Sequence, residues 1–471
     1  IEHLKRVRWK GMSGAARLAL GRLKESEQDF RAALSLLGID LPNSKAGFLL
    51  RAVGQIMIQI RHRYFPSFDK PVAAQDIAKT HLAARIMERH FLVFYFLQNI
   101  EGLLFASFAA TNLAEATADD TETLSRSYTN LSSALGGIPL FRLSSSYLQR
   151  AKNVAAVIDE SGTWAWYYLS GGVAKAAIGD WVGHDKATLK SQEMAIAQGD
   201  RRRWEESAAV YCIGGLTHGN FLSTIEPSHI YQQIHASGFS RGVYQVQSWG
   251  YCMWAMSSIM QGHYDIAQKV AVKLEKLYLE HPQGFDPVNV LEASTSFALL
   301  AIRDQDRCRA IQYLELGASV VEQWGRPTTW RSIPCCYAQA EAALRFWYRE
   351  KELHGANCAP RFEAWVKLSL KNLRAHASIY GIAVSRHELL KGWYQLMSGR
   401  PKKAASHWRK GLKFAANFNM RFDLLALNLA ATNLDQKLRK NLMLMSSSQL
   451  AEFAKELNVT DPNWFRDWRL S

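Results

Sequence analysis

The feature that most restricts this chain is a turn that returns at a nearly fixed interval. An apolar helical stretch stops at a Gly, an aromatic or apolar residue follows two places later, and a small residue five places after the Gly opens the next helix. The clearest copy is Gln261-Gly262-His263-Tyr264-Asp265-Ile266-Ala267. Ser398-Gly399-Arg400-Pro401-Lys402-Lys403-Ala404 is a second copy. Gly21-Arg22-Leu23-Lys24-Glu25-Ser26 is a third, followed by Phe30, Ala33 and Leu34. Gly179 and Gly219 open weaker copies, with Trp181 and Phe221 in the aromatic place. Asp304-Gln305-Asp306 leads to Ala310, with Gln305 where the others have Gly.

From Gly179 to Gly219, Gly262 and Gln305 the steps are 40, 43 and 43 residues. The 94 residues from Gln305 to Gly399 make two such units, and the 158 from Gly21 to Gly179 make four. A period of this size, filled by two helices and a turn, is the mark of a solenoid. Gly permits positive φ where a helix stops. The small residue lets the next helix come close, and the large residues fill the groove between helices. The period exceeds the usual 34 residues of a tetratricopeptide repeat, so the helices or the loops must be longer. The expected fold is all-α: a tetratricopeptide-like α-solenoid of about ten or more antiparallel helix pairs, exposing a long concave face. No segment alternates with period two between hairpin turns. Twelve prolines in 471 residues are also few for an all-β chain.

Breaks are expected at Leu41-Pro42-Asn43-Ser44, at 65–71, at Gly136-Gly137-Ile138-Pro139, at His281-Pro282-Gln283-Gly284, at Gly325-Arg326-Pro327 and at 354–360, because proline ends helices. Only the 65–71 break, with Pro66 and Pro71, reads as a boundary. It divides residues 1–65, the first repeats, from a continuous array over 72–471. The chain opens on Ile1 with no signal-peptide pattern, which predicts a piece of a longer polypeptide whose upstream domain joins residues 1–65. The most apolar stretch, 91–110, is interrupted by Gln98, Asn99 and Glu101, so a buried core helix is expected there rather than a membrane span.

The six cysteines form no CxxC and no zinc-like spacing, a usage that fits a reduced, cytoplasmic chain. The net charge of +15 lies at the ends: residues 1–65 hold 12 Lys/Arg against 5 Asp/Glu, and residues 400–471 hold 13 against 6. Basic ends on a near-neutral middle suit acidic surfaces of neighbouring domains or a polyanion. No recognised nucleic-acid motif interleaves these charges with aromatics, so a nucleic-acid partner is not expected. Nor is a membrane.

Motifs for catalysis are missing from the sequence. It has no GxxxxGK[ST], no HExxH, no EF-hand loop and no GxSxG. Its 14 histidines are scattered. No catalytic, cofactor-binding or metal residues are therefore expected, and the chain is not read as an enzyme. Two clusters could grip a partner. Arg201, Arg202 and Arg203 beside Trp204 bring three guanidinium groups to an aromatic, a set suited to carboxylates or phosphates. An ordinary helix start also explains them: Asp200 caps, Trp204 packs inward, and Arg202 pairs with Glu206 at i,i+4. Trp164 and Trp166, with Tyr167 and Tyr168, could line a peptide groove or act as knobs between helix layers.

With the repeats in place, the chain resembles the C-terminal helical region of large bacterial signalling proteins. These carry an adenylate/guanylate cyclase or serine/threonine kinase domain, then a STAND-type ATPase, then a tetratricopeptide-like tail. The resemblance rests on 30–38 running on to Leu41-Pro42, on Thr111-Asn112-Leu113-Ala114-Glu115, on 195–206, and on Gly392-Trp393-Tyr394 through Ala404 and Trp408. It covers roughly residues 15–430. It implies a regulatory region that contacts protein or peptide ligands and controls upstream ATPase and cyclase or kinase domains of the same polypeptide. A free-standing peptide-binding adaptor is the alternative.

Overall fold

Long stretches without Pro, with an apolar residue every three or four positions, have no competing structure and become helices. The computed structural model describes residues 2–65, 67, 71–117, 121–226, 229–324, 327, 329–440, 442 and 444–462. Among them there is no strand. The first helices are α1 (Glu2–Ala19), α2 (Leu23–Leu36), α3 (Lys45–Tyr64), α4 (Ile77–Phe96), α5 (Ile100–Thr117), α6 (Thr121–Gly137) and α7 (Phe141–Ile158). Next come α8 (Ser161–Ala177), α9 (Trp181–Ala197), α10 (Arg201–His218), α11 (Ile230–Ser240), α12 (Tyr244–Gln261), α13 (Tyr264–Glu280) and α14 (Pro287–Arg303). Then follow α15 (Arg307–Gln323), α16 (Ile333–His354), α17 (Pro360–Ala377), α18 (Val384–Met397), α19 (Pro401–Asn417) and α20 (Arg421–Ala431), and last the short α21 (Gln436–Arg439) and α22 (Ser447–Glu456).

The chain is an all-α solenoid. From α4 to α20 each helix packs on the next, while α3 packs on α5, and the even-numbered helices from α4 to α20 also pack on one another, forming an inner layer. The two layers differ in sequence as their positions require. Outer α13 buries one stripe, Ala267, Val270, Ala271, Leu274 and Leu277, and turns its charged residues outward. Inner α14 is buried on nearly every side, and its interior polar residues are mostly Ser, Thr and Asn, which can bond to the helix backbone. The extra length of the repeat lies in the helices: α12 has 18 residues and α13 has 17.

The repeat turns form as the sequence predicts. Gly262 sits at φ +82 and closes α12. Gln305 takes the same left-handed region, at φ +63, where the pattern lacks its Gly. Asn419 and Asp159 do likewise at turns the pattern does not reveal, because their short polar side chains tolerate that region. Leu41–Ser44 separates α2 from α3, and Ser44 caps α3 by accepting from the Gly47 nitrogen at 3.1 Å. Of the 65–71 break, Pro66, Phe68, Asp69 and Lys70 lie outside the described residues, as do Gly325 and Arg326 of another expected turn. On either side of 65–71, α3 packs on α5.

Two expectations need correction. The apolar stretch 91–110 is two antiparallel helices, not one. Gln98 turns the chain at φ +55 between α4 and α5, and both are buried. No described helix is long and apolar enough to cross a membrane. The long open concave face is also absent in the middle of the array. Inner helix α10 meets α16 and α20 across the axis, so the array closes on itself. The aromatic residues of the repeat turns serve this closure as well as their own repeats. Trp181 donates from Nε1 to the Phe418 carbonyl, 237 residues later, at 2.7 Å. Phe221 packs edge-on against Phe422, with ring centroids 5.4 Å apart.

Gly219 tests the closure. Its φ is +86, and a Cβ there would overlap the backbone of Phe422. Gly399 has a similar φ of +73 with open space around it. Gly399→Ala is expected to cost about 1–2 kcal/mol from backbone strain alone. Gly219→Ala should lower the apparent Tm clearly further, because the later turn must also move. Equal losses in thermal melts followed by circular dichroism would refute the close approach.

Candidate functional site

The inner helices carry a ladder of arginine and tryptophan side chains at one repeated position. Arg126 on α6, Trp166 on α8, Glu206 on α10, Trp249 on α12 and Asn289 on α14 follow one another, and Arg331 ends the row in the 3-10 turn Trp330–Ser332. The steps are 40, 40, 43, 40 and 42 residues, the period of the turns. Equivalent positions in successive repeats face the same axis, so their side chains meet.

The ladder alternates cations with π faces. The Arg126 guanidinium lies 5.4 Å from the Trp166 ring centre, and that of Arg203 lies 4.1 Å from it. Trp166 donates from Nε1 to Asn130 Oδ1 at 3.0 Å, which fixes its ring. Arg203 and Arg202 bind the Glu206 carboxylate at 2.6 and 2.9 Å. Arg202 then lies 4.7 Å from the centre of Trp249, which stacks with Phe96 at 5.9 Å. Arg331 sits 5.9 Å beyond, over the same Trp249. Such contacts are stronger out of water than at the surface.

Alongside the ladder is a cavity of about 90 Å³, walled by α4, α6, α8, α10, α12 and α14 and by Arg331. Phe91, Tyr95, Phe96, Trp166 and Trp249 supply its aromatic surface, and Glu206, Asn289, Glu292 and Arg331 its polar groups. Asp286 caps α14 by accepting from the nitrogens of Val288 and Asn289, and it pairs with Arg331 at 3.5 Å. Asn289 accepts from Trp249 Nε1 at 3.0 Å and donates to Glu292 Oε2 at 2.8 Å. Burial raises the Glu292 carboxyl, Arg331 pulls it down, Asp286 pushes it up again, and the result is about 7. Glu292 is thus a buried carboxyl poised between two charge states. The cavity has room for a few waters and falls short of the roughly 300–1,000 Å³ of a drug-sized ligand site.

The six residues singled out from sequence divide evenly. Arg202, Arg203 and Trp166 belong to the ladder. Arg201 is exposed and reaches Ser240 Oγ at 3.5 Å. Trp204 packs partly buried against the core. Trp164 lies on another face of α8 from Trp166, donates to Asp159 Oδ1 at 3.1 Å and stacks on Tyr168. The helix-start account of 200–206 holds in full, with Asp200 Oδ1 accepting from the Arg203 nitrogen at 3.0 Å and the Arg202–Glu206 pair formed. Sequence reasoning missed Arg126, Trp249, Asn289, Glu292 and Arg331. Stepping 40–43 residues from Trp166 in both directions would have found the register.

Other chemistry is sparse among the described residues. No group of three His, Cys, Asp or Glu could hold a metal ion. All six cysteines are free, and burial pushes Cys252 and Cys335 well above the ordinary thiol range, so neither supplies a ready thiolate. His90, His184 and His376 are buried, and desolvation lowers them to about 3, 4 and 4, which keeps them neutral.

The outer surface offers a different feature. Helix α3 buries Phe48, Ala52 and Gln59 against the array. Its opposite face exposes Leu49, Leu50, Val53, Met57, Ile60 and Tyr64 over the whole helix. Lys45, Arg51 and Arg61 accompany this stripe, Arg63 turns inward to Ser146 and the Tyr147 ring, and α3 contains no acidic residue.

These features define the class: a closed α-solenoid with a cation–π interior and an apolar, basic outer helix. No protein-family profile matches the chain, and no curated protein does. Among solved structures it is similar to one described as a "Circular tandem repeat protein with novel repeat topology and enhanced subunit contact surfaces". The identity is 13%, the alignment covers 91% of this chain and 99% of that one, and the TM-score is 0.22. A likeness this loose adds nothing to the fold read from the helices themselves.

Glu292 sets a pH signature. With its carboxyl raised from 4.5 to about 7, the folded chain holds a proton that the unfolded chain has lost. Its contribution to stability is full below the unfolded value and is lost as pH rises through the folded one. Glu292→Gln stays neutral, so it should gain on the parent between about pH 5 and about pH 8, by at most on the order of 3 kcal/mol. Denaturant unfolding at both pH values measures this, and identical pH dependence of the two proteins would overturn the assignment.

Proposed function

We propose that this chain is a regulatory, sensory helical-repeat region that works by contact rather than by catalysis, and that it controls ATPase and cyclase or kinase domains upstream in the same polypeptide. The observation that carries the contact reading is the outer face of α3. A monomeric surface rarely leaves a continuous apolar stripe of this kind in water. Leu50 is 76% exposed and Met57 60%. The basic residues alongside the stripe select a partner whose apolar patch has an acidic rim. The occupant is therefore a protein surface of that character, and the resemblance of the sequence to signalling tails makes the upstream domains the natural candidate. The closed middle of the array supports an outer contact over an inner one. A peptide-binding adaptor, the second reading, would use an open inner groove, and α10 occupies that space together with α16 and α20.

The test begins with the reading frame upstream of Ile1. A P-loop ATPase with a cyclase or kinase domain there allows a direct measurement in the full-length protein. Leu50→Glu with Met57→Glu should change stability by no more than about 0.5 kcal/mol each, since both sites are exposed. The same pair should weaken the contact about tenfold or more and alter nucleotide hydrolysis or cyclisation. Unchanged activity and unchanged association would sink the proposal. A reading frame that starts at or near Ile1 would leave the adaptor.

A further inference from the structure

The +15 charge is not spread evenly, and one part of it converges on a pocket. On α17, Lys367, Lys371 and Arg374 stand at i, i+4 and i+7, which places them on one face. Helix α18 brings His387 and Lys391, four residues apart, to the same place. Helix α19 adds His407 and Lys410. Together they wall a cavity of about 460 Å³ between the three helices.

Among the described residues the only carboxylate lining this cavity is Glu388, and it is already engaged. Glu388 is buried and is contacted by His407 Nδ1 at 2.5 Å, Lys410 Nζ at 2.8 Å and His387 Nδ1 at 3.4 Å. Burial raises its carboxyl, but these hydrogen bonds more than offset that and hold it well below the usual range, so it stays ionised. Lys367 pairs outside the cavity with Glu363 at 3.0 Å, and Glu363 also accepts from the Tyr394 hydroxyl at 2.6 Å. Among the described residues Lys371, Arg374 and Lys391 form no ion pair. The Lys391 ammonium lies 4.9 Å from the Tyr394 ring centre. Burial first, then Arg374, lowers its pKa, and only Glu388 acts the other way. Cations crowded together without counter-charge repel one another, and a bound anion would relieve them.

We propose that the pocket between α17, α18 and α19 binds a compact polyvalent phosphate: a di- or triphosphate chain, either free or as the tail of a nucleotide. Three uncompensated cations from two helices line one open depression, with Lys367 and Lys410 also on its wall. That geometry fits a short chain of negative charges. A single carboxylate would leave most of the charge unmatched. A long nucleic-acid strand needs a track along the surface, whereas these groups converge on a depression with Glu388 in its wall. This site is separate from α3, so its failure leaves the contact reading untouched.

The experiment is titration of the full chain with sodium tripolyphosphate, followed by calorimetry and by the shift in apparent Tm that a ligand of the folded state produces. Tripolyphosphate should bind and raise Tm. Lys371→Gln with Lys391→Gln should weaken binding by roughly tenfold or more, whereas Lys402→Gln, outside the pocket, should leave it unchanged. Since Lys391 is crowded by other cations, its loss should not lower the Tm of the unliganded protein, which separates lost binding from lost folding. A nucleoside triphosphate that binds more tightly than tripolyphosphate, while the nucleoside is silent, supports the proposal and names a nucleotide as source. Equal binding of the two supports it with the phosphate chain alone as ligand. No binding of tripolyphosphate, binding unaffected by the double substitution, or binding of only a long single-stranded oligonucleotide would each overturn it.

Discussion

The architecture depends on one buried contact across the axis. Arg386 on α18 is fully buried, pairs with Asp423 on α20 at 3.0 Å, and donates to the carbonyls of Leu216 and Thr217 at 2.9 and 2.7 Å. Those carbonyls belong to the last turn of α10, where an α-helix has no acceptors' partners of its own and carries partial negative charge. A guanidinium placed there meets three needs together: its own charge, the carboxylate, and the orphan carbonyls. It also ties α10 to α18 and α20, which lie in repeats far later in the sequence. Around it the turns of early repeats press on later segments. Thr460 donates to the Gln261 carbonyl at 2.8 Å, 199 residues away, beside the turn at Gly262. An open solenoid has contacts only between neighbouring repeats. This one adds contacts between successive windings, which makes its repeats interdependent.

The arginine–tryptophan ladder belongs to the same logic. Burying a guanidinium is expensive unless it is paired and hydrogen-bonded. Here each buried arginine finds a carboxylate, a ring face, or both. The arrangement demands a particular register between successive repeats, because a slip of one residue would turn Trp166 or Trp249 away from its cations. A wholly aliphatic inner wall could slide with little penalty. The ladder therefore sets which winding the array adopts, in addition to whatever stability it supplies. Its far end, where Glu292 sits near neutrality in a small cavity, is the point at which the interior can change charge state.

A closed interior moves the possible work outward. The buried ion pairs and polar residues of the ladder sit on inner helices and are spent on one another. The surface retains free chemistry at two places. Helix α3 shows an apolar, basic face near the start of the chain, and α17 to α19 enclose an uncompensated cationic pocket near its end. Helix α3 lies in the basic first 65 residues, whereas the pocket draws Lys371, Arg374 and Lys391 from the near-neutral middle and Lys410 from the basic end.

Much of this was legible in the residues. The spacing from Gly179 to Gln305 determined the repeat, the turn geometry and the all-α fold, since local backbone preferences and helical periodicity act over a few residues. It also located the helix start at Asp200 and its Arg202–Glu206 pair. Composition placed the basic charge at the two ends. Tertiary structure alone decided that the concave face is filled, that Trp181 and Phe221 serve the next winding, and that Trp164 and Trp166 part company on opposite faces. It also decided that Glu388 is neutralised from two helices while Lys391 is not. The reason is physical. Periodicity tells which face of a helix turns inward, but the superhelical closure is the sum of small rotations between repeats, and only that sum determines which distant residues meet.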